Sequence, residues 1–238
     1  MKIRLFVNVP LKAGQDVAVT VQAHYLVSVM RRSVGDQLWL FNGTDGEWLA
    51  EITHANKRNA TLRCIEQSAA QKNPPDLWLL FAPIKKARTD FIVEKAAEMG
   101  AARIMPVQTQ YTNSDRVRTD RLQAHAVEAA EQCGGTFVPE VADLAKLTTV
   151  LNSWPPDRKL LFCDETMGAE PILKVLSGET EGPWAILIGP EGGFSVAEAE
   201  ALRDMPETVS VTLGPRILRA DTAAVAAMTA WQVALGDW

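Results

Sequence analysis

Apolar and polar positions follow two different rhythms along the 238 residues. In the first part apolar residues come in short runs, many alternating with polar ones, separated by turn dipeptides such as Asn42-Gly43 and Asp45-Gly46. A period of two puts successive side chains on opposite faces of a strand, and these dipeptides favour tight turns. The pattern predicts strands over 2–7, 16–21, 37–41, 48–53 and 60–65. It also predicts a short helix over 23–32 carrying Tyr25, Leu26, Val29 and Met30. Many short strands with turn signals read as a small β-barrel.

The polar stretch Gln67-Ser-Ala-Ala-Gln-Lys-Asn-Pro-Pro75 then breaks the pattern. Pro74-Pro75 continues neither a helix nor a central strand, so the domain boundary is placed there, giving 1–72 and 73–238. Beyond it, short apolar runs alternate with helical patterns. Strands are predicted over 77–84, 103–107, 160–163, 185–188 and 209–213. Helices are predicted over 89–99, 119–133, 171–176, 195–203 and 221–235. Ser195 and Glu198 have the spacing of a capping box, which fixes one helix start. Alternating strand and helix implies a mostly parallel sheet with helices on both faces, an α/β fold whose ligands bind at the carboxyl ends of the strands.

Composition narrows the classes. Hydrophobic residues make up 47% and charged ones 22%, enough for a sizeable core and too apolar for wholesale disorder. No run approaches a membrane span, and the start of the chain lacks the features of a cleaved leader. The three cysteines, Cys64, Cys133 and Cys163, are widely spaced and form no C-x-x-C, which argues for a reducing cytoplasm and against a disulfide framework. The histidines, His24, His54 and His125, have no second ligand at metal spacing, so no metal is expected. Net charge is −5, but unevenly placed. Residues 1–72 hold 9 Lys and Arg against 6 Asp and Glu, and residues 73–238 hold 15 against 23. A basic first part on an acidic remainder fits a division of labour, although so small an excess also arises by chance.

Two segments carry the candidate chemistry. Leu187-Ile-Gly-Pro-Glu-Gly-Gly-Phe-Ser195 leaves a buried strand and enters the capped helix. Leu213-Gly-Pro-Arg-Ile-Leu-Arg-Ala-Asp-Thr222 also joins a strand to a helix, so both loops should emerge at one edge of the sheet. Glycines 189, 192 and 193 allow close backbone approach to a ligand, or simply a turn. The spacing matches neither phosphate-binding glycine motif, and Glu191 would repel a phosphate. A ligand with little negative charge, such as S-adenosylmethionine, suits the loop better.

GPEGGFS at 189–195, followed by LGPRILRADTA at 213–223, resembles the signature of the RsmE-type 16S ribosomal RNA (uracil-N3)-methyltransferases, of the trefoil-knotted SPOUT class. The likeness runs through most of the chain. His24 to Arg31, Gly35-Asp36 and Phe41-Asn-Gly43 resemble the family's PUA-like RNA-binding barrel. Lys85-Lys86, Glu94-Lys95-Ala96, Glu98-Met-Gly100, Glu128-Ala-Ala-Glu-Gln132 and Val138-Pro139 resemble its central helices. The resemblance implies a knotted second domain, which would be an exception to the rule against knots. It also implies a homodimer that uses the 222–235 helix, and a small-ribosomal-subunit substrate.

By the same resemblance, three loops would enclose S-adenosylmethionine. They are Cys163, Asp164 and Glu165; Ile188, Gly189, Pro190, Gly192 and Gly193; and Leu213, Gly214, Ile217 and Leu218, with Thr222 beyond. Three positions depart from the family pattern. Tyr111 and Gly135 stand where arginine is usual, which removes two phosphate contacts, and Asp221 stands where glutamate is usual.

Methylation of uracil N3 requires loss of the imide proton, in-line placement of N3 and stabilisation of charge on the uracil oxygens. Arg219 is the candidate for the last role, since a guanidinium donates two hydrogen bonds to planar oxygens. A structural salt bridge to Glu191 or Asp221 is its alternative. Asp221 and Glu191 are candidate proton acceptors, and Asp221 is equally placed to cap a helix. RNA contacts are expected from Arg31, Arg32, Lys85, Lys86, Arg88, Arg116, Arg118 and Arg121. The same loops would also serve an enzyme acting on another RNA such as tRNA, or an inert RNA-binding assembly factor.

Overall fold

The computed structural model describes residues 2–114, 116–166 and 168–238. They form two compact units: Met1–Asn73 with Ala130–Val138, and Pro74–Ala129 with Pro139–Trp238.

The first unit is built on β1 (Arg4–Phe6), β2 (Asp16–Val19), β3 (Gln37–Phe41), β4 (Glu47–Ala55) and β5 (Ala60–Ala69). They lie in the order β1-β3-β4-β5-β2, antiparallel except for the β1–β3 pair. Alternation in the sequence becomes a buried face: Leu5, Val17, Val19, Leu38, Leu40, Ile52 and Leu62 share one core.

The helix predicted over 23–32 is instead a short π-helical turn, Tyr25–Val29, closed by the Met30 N–H donating to the Tyr25 carbonyl at 2.9 Å. Leu26 is buried, whereas Tyr25 and Val29 are exposed. The apolar residues that imitated a helical stripe therefore do not share a buried face. Arg31 then takes a left-handed φ of 53°, which ends any helix.

Arg4 explains why residues 130–138 group with this unit. Its buried guanidinium pairs with Glu47 at 2.6 Å and donates to the carbonyls of Ala130 (2.6 Å), Glu131 (3.2 Å) and Gly135 (2.6 Å). Burial works against charge on Glu47, but Lys2, Arg4 and Ser68 outweigh it and hold the carboxyl below its usual range. A buried pair satisfied on all sides in this way becomes destabilising by about 3–5 kcal/mol if one partner is removed.

The second unit alternates strand and helix. It runs β6 (Leu77–Phe81), α1 (Lys86–Glu98), β7 (Arg103–Gln108), α2 (Thr119–Cys133), β8 (Glu140–Val141), β9 (Ala145–Lys146) and α3 (Leu147–Asn152). It continues through β10 (Lys159–Cys163), α4 (Ile172–Leu176), β11 (Trp184–Ile188), α5 (Val196–Asp204), β12 (Thr208–Val211) and α6 (Ala220–Leu235). The sheet order is β12-β10-β11-β6-β7-β8, with β9 also on β7, and every pairing is parallel. Central β11 is buried at all five positions, as a strand covered on both faces must be.

Helix α6 packs on α1, α4 and β11. Its buried Gln232 donates to the Met99 carbonyl at 2.6 Å, just where α1 stops at left-handed Gly100. Among the described residues no helix is long and apolar enough to cross a membrane.

Candidate functional site

Strands β12, β10 and β11 are adjacent and parallel, so their carboxyl ends, Val211, Cys163 and Ile188, fall on one edge. The loops launched there wall a cleft of about 270 Å³. Cys163, Asp164 and Glu165 come from the first loop, and Ile188, Gly189, Pro190, Glu191 and Gly193 from the second. Thr212, Leu213, Gly214, Arg216, Ile217, Leu218 and Arg219 come from the third, and α6 adds Ala220 and Ala223.

Of the positions expected from the sequence, Gly192 and Thr222 lie off this wall. Gly192 backs onto Tyr111, whose Cβ is 3.4 Å from where a Cβ on Gly192 would sit. Thr222 is exposed on the first turn of α6. Arg216 lies within the expected 213–219 loop without having been singled out, and Thr212, Ala220 and Ala223 were not anticipated. A small residue at each of 220 and 223, spaced to share a helix face, was the available signal for two of them.

Packing, more than ligand approach, dictates two of the glycines. A Cβ on Gly189 would lie 2.6 Å from the Phe194 ring, which stacks edge-on against Phe162 at 5.2 Å. Gly193 has φ of 70°, and a Cβ there would collide with the Glu165 carboxylate. Glu165 accepts the Phe194 N–H at 3.0 Å. Ser195 then caps α5 in the expected box: its hydroxyl accepts the Glu198 N–H, and its own N–H donates to Glu198 at 2.9 Å. The other oxygen of Glu198 accepts the Gln110 N–H at 2.8 Å.

Asp164 lies on the wall, but its buried carboxylate is engaged elsewhere. It accepts from the Thr166 N–H (2.9 Å) and hydroxyl (2.7 Å) and from Arg203 at 2.6 Å. Burial opposes its charge, yet those partners prevail and hold the carboxyl below the usual Asp range. Burial pushes the Cys163 thiol up to about 12, so it serves as neutral wall and not as a nucleophile.

The charges at the mouth are arranged unequally. Arg88 pairs with Glu191 at 2.6 Å and approaches Asp221 at 3.7 Å. Thus Arg88, not Arg219, takes both carboxylates, and it is held in the site instead of standing free for RNA. Arg219 is exposed at the N-cap of α6, where its carbonyl accepts the Ala223 N–H at 2.8 Å, while its guanidinium has no ion pair or hydrogen bond among the described residues. Asp221 is not the cap expected of it. It lies inside the first turn, and its carboxylate accepts the Thr222 N–H at 3.0 Å.

The remaining basic candidates divide. Arg118 pairs with Asp120 at 2.6 Å and Arg121 pairs with Asp90. Arg116 and Arg31 are exposed, and Arg32 is partly buried with its Nε unpartnered. Lys85 and Lys86 line a second cavity, about 360 Å³, which shares Pro190 and Glu191 with the cleft.

The cleft can hold a small ligand with a flat apolar part and little negative charge. Ile188, Leu213, Ile217, Leu218 and the two alanines offer apolar surface, while Glu165 and Glu191 set negative charge at the wall. Gly214 is left-handed at φ of 119°, and a Cβ there would meet nothing within 4 Å, so space is open beside the backbone.

Comparison with known proteins agrees with this geometry. A family model described as an RNA methyltransferase domain matches residues 71–232, and one described as an RNA methyltransferase PUA domain matches residues 22–64. Ribosomal RNA small subunit methyltransferase E of Rickettsia conorii is 32% identical over 94% of this chain and 93% of its own length. The Bacillus subtilis protein of that name is 27% identical over 88% and 86%. A ribosomal RNA small subunit methyltransferase E of Neisseria gonorrhoeae, solved bound to S-adenosyl methionine, superposes with a TM-score of 0.88 at 26% identity, covering 100% of both chains. A Legionella pneumophila protein in complex with SAM gives the same figures. A parallel sheet with its cleft at the strand ends, a PUA match ahead of it and relatives matched over nearly their whole length lead to one conclusion: the chain belongs to the RNA methyltransferase family of the small subunit methyltransferase E type.

Proposed function

We propose that this protein methylates 16S ribosomal RNA at N3 of a uridine, with S-adenosylmethionine as donor. The observation that carries the reading is the Arg219 guanidinium, without a side-chain partner among the described residues, at the mouth of a cleft whose wall joins apolar side chains to Glu165 and Glu191. The cleft fits the cofactor. Ile188, Leu213, Ile217 and Leu218 would hold its flat base, the exposed backbone of the 188–193 and 213–214 segments would hydrogen-bond it, and Glu165 and Glu191 suit its positive sulfur. When bound, S-adenosylmethionine supplies an electrophilic methyl group.

The protein's part is to place and polarise the base. Arg219 donates two hydrogen bonds to uracil oxygens as the imide proton leaves, which stabilises the developing charge. Arg88 keeps Glu191 and Asp221 oriented, and either carboxylate is a candidate to accept the proton.

Residues 1–72 serve RNA binding through Arg31 and Arg32, and residues 73–238 carry the transfer. Lys85, Lys86 and Arg116 contact phosphates, and Arg118 and Arg121 join them only by giving up Asp120 and Asp90. The second domain carries a trefoil knot. The enzyme works in the cytoplasm as a homodimer on the assembled small subunit, and exposed Leu173 and Val233 on α4 and α6 offer apolar surface for the partner copy.

The test is transfer from labelled S-adenosylmethionine to small subunits from cells lacking this gene, with nucleoside analysis. Labelled N3-methyluridine is expected. Label in another nucleoside, or none with the cofactor bound, would overturn the target. Absence of cofactor binding would overturn the enzyme.

A further inference from the structure

The second cavity deepens that reading, on which it rests. We infer that Tyr111 is the stacking platform for a single unstacked nucleotide of the RNA substrate, held in the cavity bounded by Tyr111, Lys85, Lys86, Asn113, Pro190 and Glu191.

Tyr111 is 45% exposed. Among the described residues its phenol has neither a hydrogen bond nor a ring partner, so its face is unused. Its backbone, by contrast, is pinned on both sides. The Thr109 N–H donates to the Thr112 hydroxyl at 2.9 Å, and the Thr112 N–H donates to the Thr109 carbonyl at 3.2 Å. The adjacent Gln110 N–H is held by Glu198 at 2.8 Å. From the other side Gly192 closes on the Tyr111 Cβ, where a larger residue would crowd it. An aromatic ring left open to solvent on a fixed backbone is a preorganised surface, which lowers the entropic cost of binding.

Lys85 and Lys86 line the same cavity, and neither has an ion-pair partner among the described residues. Ring face plus free cations is the chemistry of single-stranded nucleic acid: the base stacks and the ammonium groups meet the phosphates. The volume of about 360 Å³ is at the small end for a ligand site, so it suits one nucleotide and not a duplex. Position completes the argument. The cavity shares Pro190 and Glu191 with the cofactor cleft, so a base lying on Tyr111 is next to the transfer site. A uridine must leave its stack to expose N3, and the ring replaces the stacking it loses. Where the resembled family carries a guanidinium for phosphate, this chain offers a ring for a base.

The experiment compares wild type, Tyr111→Ala and Tyr111→Phe in steady-state transfer to unmethylated small subunits, alongside S-adenosylmethionine Kd. Photo-cross-linking to an RNA oligonucleotide carrying 5-iodouridine at the target position is run in parallel. The alanine variant is expected to raise KM for the subunits about tenfold or more, with cofactor Kd unchanged and less effect on kcat. Phenylalanine is expected to restore KM, and the cross-link to map to residue 111. A KM within about twofold of wild type for Tyr111→Ala, or a cross-link that maps elsewhere, would overturn the inference while leaving the transfer reading intact. Were wild type to transfer no methyl group, the transfer reading alone would fall, and the cross-link would still decide the stacking.

Discussion

The two glycine-containing loops of the cleft look alike in sequence and are held very differently. The 188–195 loop is locked by its own contacts: Phe194 on Gly189, Glu165 on the Phe194 amide, Arg88 on Glu191 and the Ser195–Glu198 box behind it. The 213–219 loop has few such ties. Thr212 hydrogen-bonds with Gly214, but Arg216 and Arg219 are exposed and Ile217 is 76% exposed, an apolar side chain with nothing over it. One wall is complete before a ligand arrives, and the other is left for the ligand to complete. Rigid walls define position, while loose ones admit and release.

That contrast can be broken by mutation. The largest effect is expected at Arg219 in the open loop. Arg219→Ala should lower kcat by roughly 10²–10³-fold, as for loss of a charge-stabilising donor, with thermal stability unchanged because the side chain supports nothing. A fall in melting temperature with turnover intact would return Arg219 to a structural role.

Next comes the locked loop. Gly193→Ala forces a left-handed alanine against Glu165, at a cost of about 1–3 kcal/mol. It should weaken cofactor binding about tenfold or more in titration calorimetry. An unchanged Kd would mean that the locking is incidental to binding. The smallest effect concerns motion. On addition of S-adenosylmethionine, amide hydrogen exchange should slow about tenfold over 213–219 and change little over 189–195. Equal protection of both loops would erase the distinction.

The same contrast marks what the sequence could reveal. Local rules worked where structure is local. The strand Gln37–Phe41 and the helix Thr119–Cys133 have the bounds that periodicity predicts, and the capping box at Ser195 is present. The cleft lies where parallel strand ends require it, and most of the expected wall positions are on it. Short elements without end signals escaped notice. Helix α3 starts at Leu147 behind Lys146, which offers no side-chain cap, and β8 and β9 are two residues each. What failed most was the assignment of tertiary partners. Nothing near Gly189 in sequence says that Phe194 folds back on it. Nor does anything there say that Arg88, about a hundred residues earlier, reaches Glu191 and Asp221 before Arg219 can. Side chains distant in sequence compete for the same carboxylates, and only geometry picks the winner.

The Arg4 clasp bears on the order in which the molecule can be made. Arg4 is synthesised well before three of its acceptors, the carbonyls of Ala130, Glu131 and Gly135, which follow it by 126, 127 and 131 residues. Until then its guanidinium must stay hydrated or borrow other acceptors, since burying it with Glu47 alone would leave donors unmatched. The first unit therefore cannot close fully as it emerges from the ribosome. A fragment cut at Asn73, however neat it looks as a sequence boundary, would lack the groups that seal its own first strand.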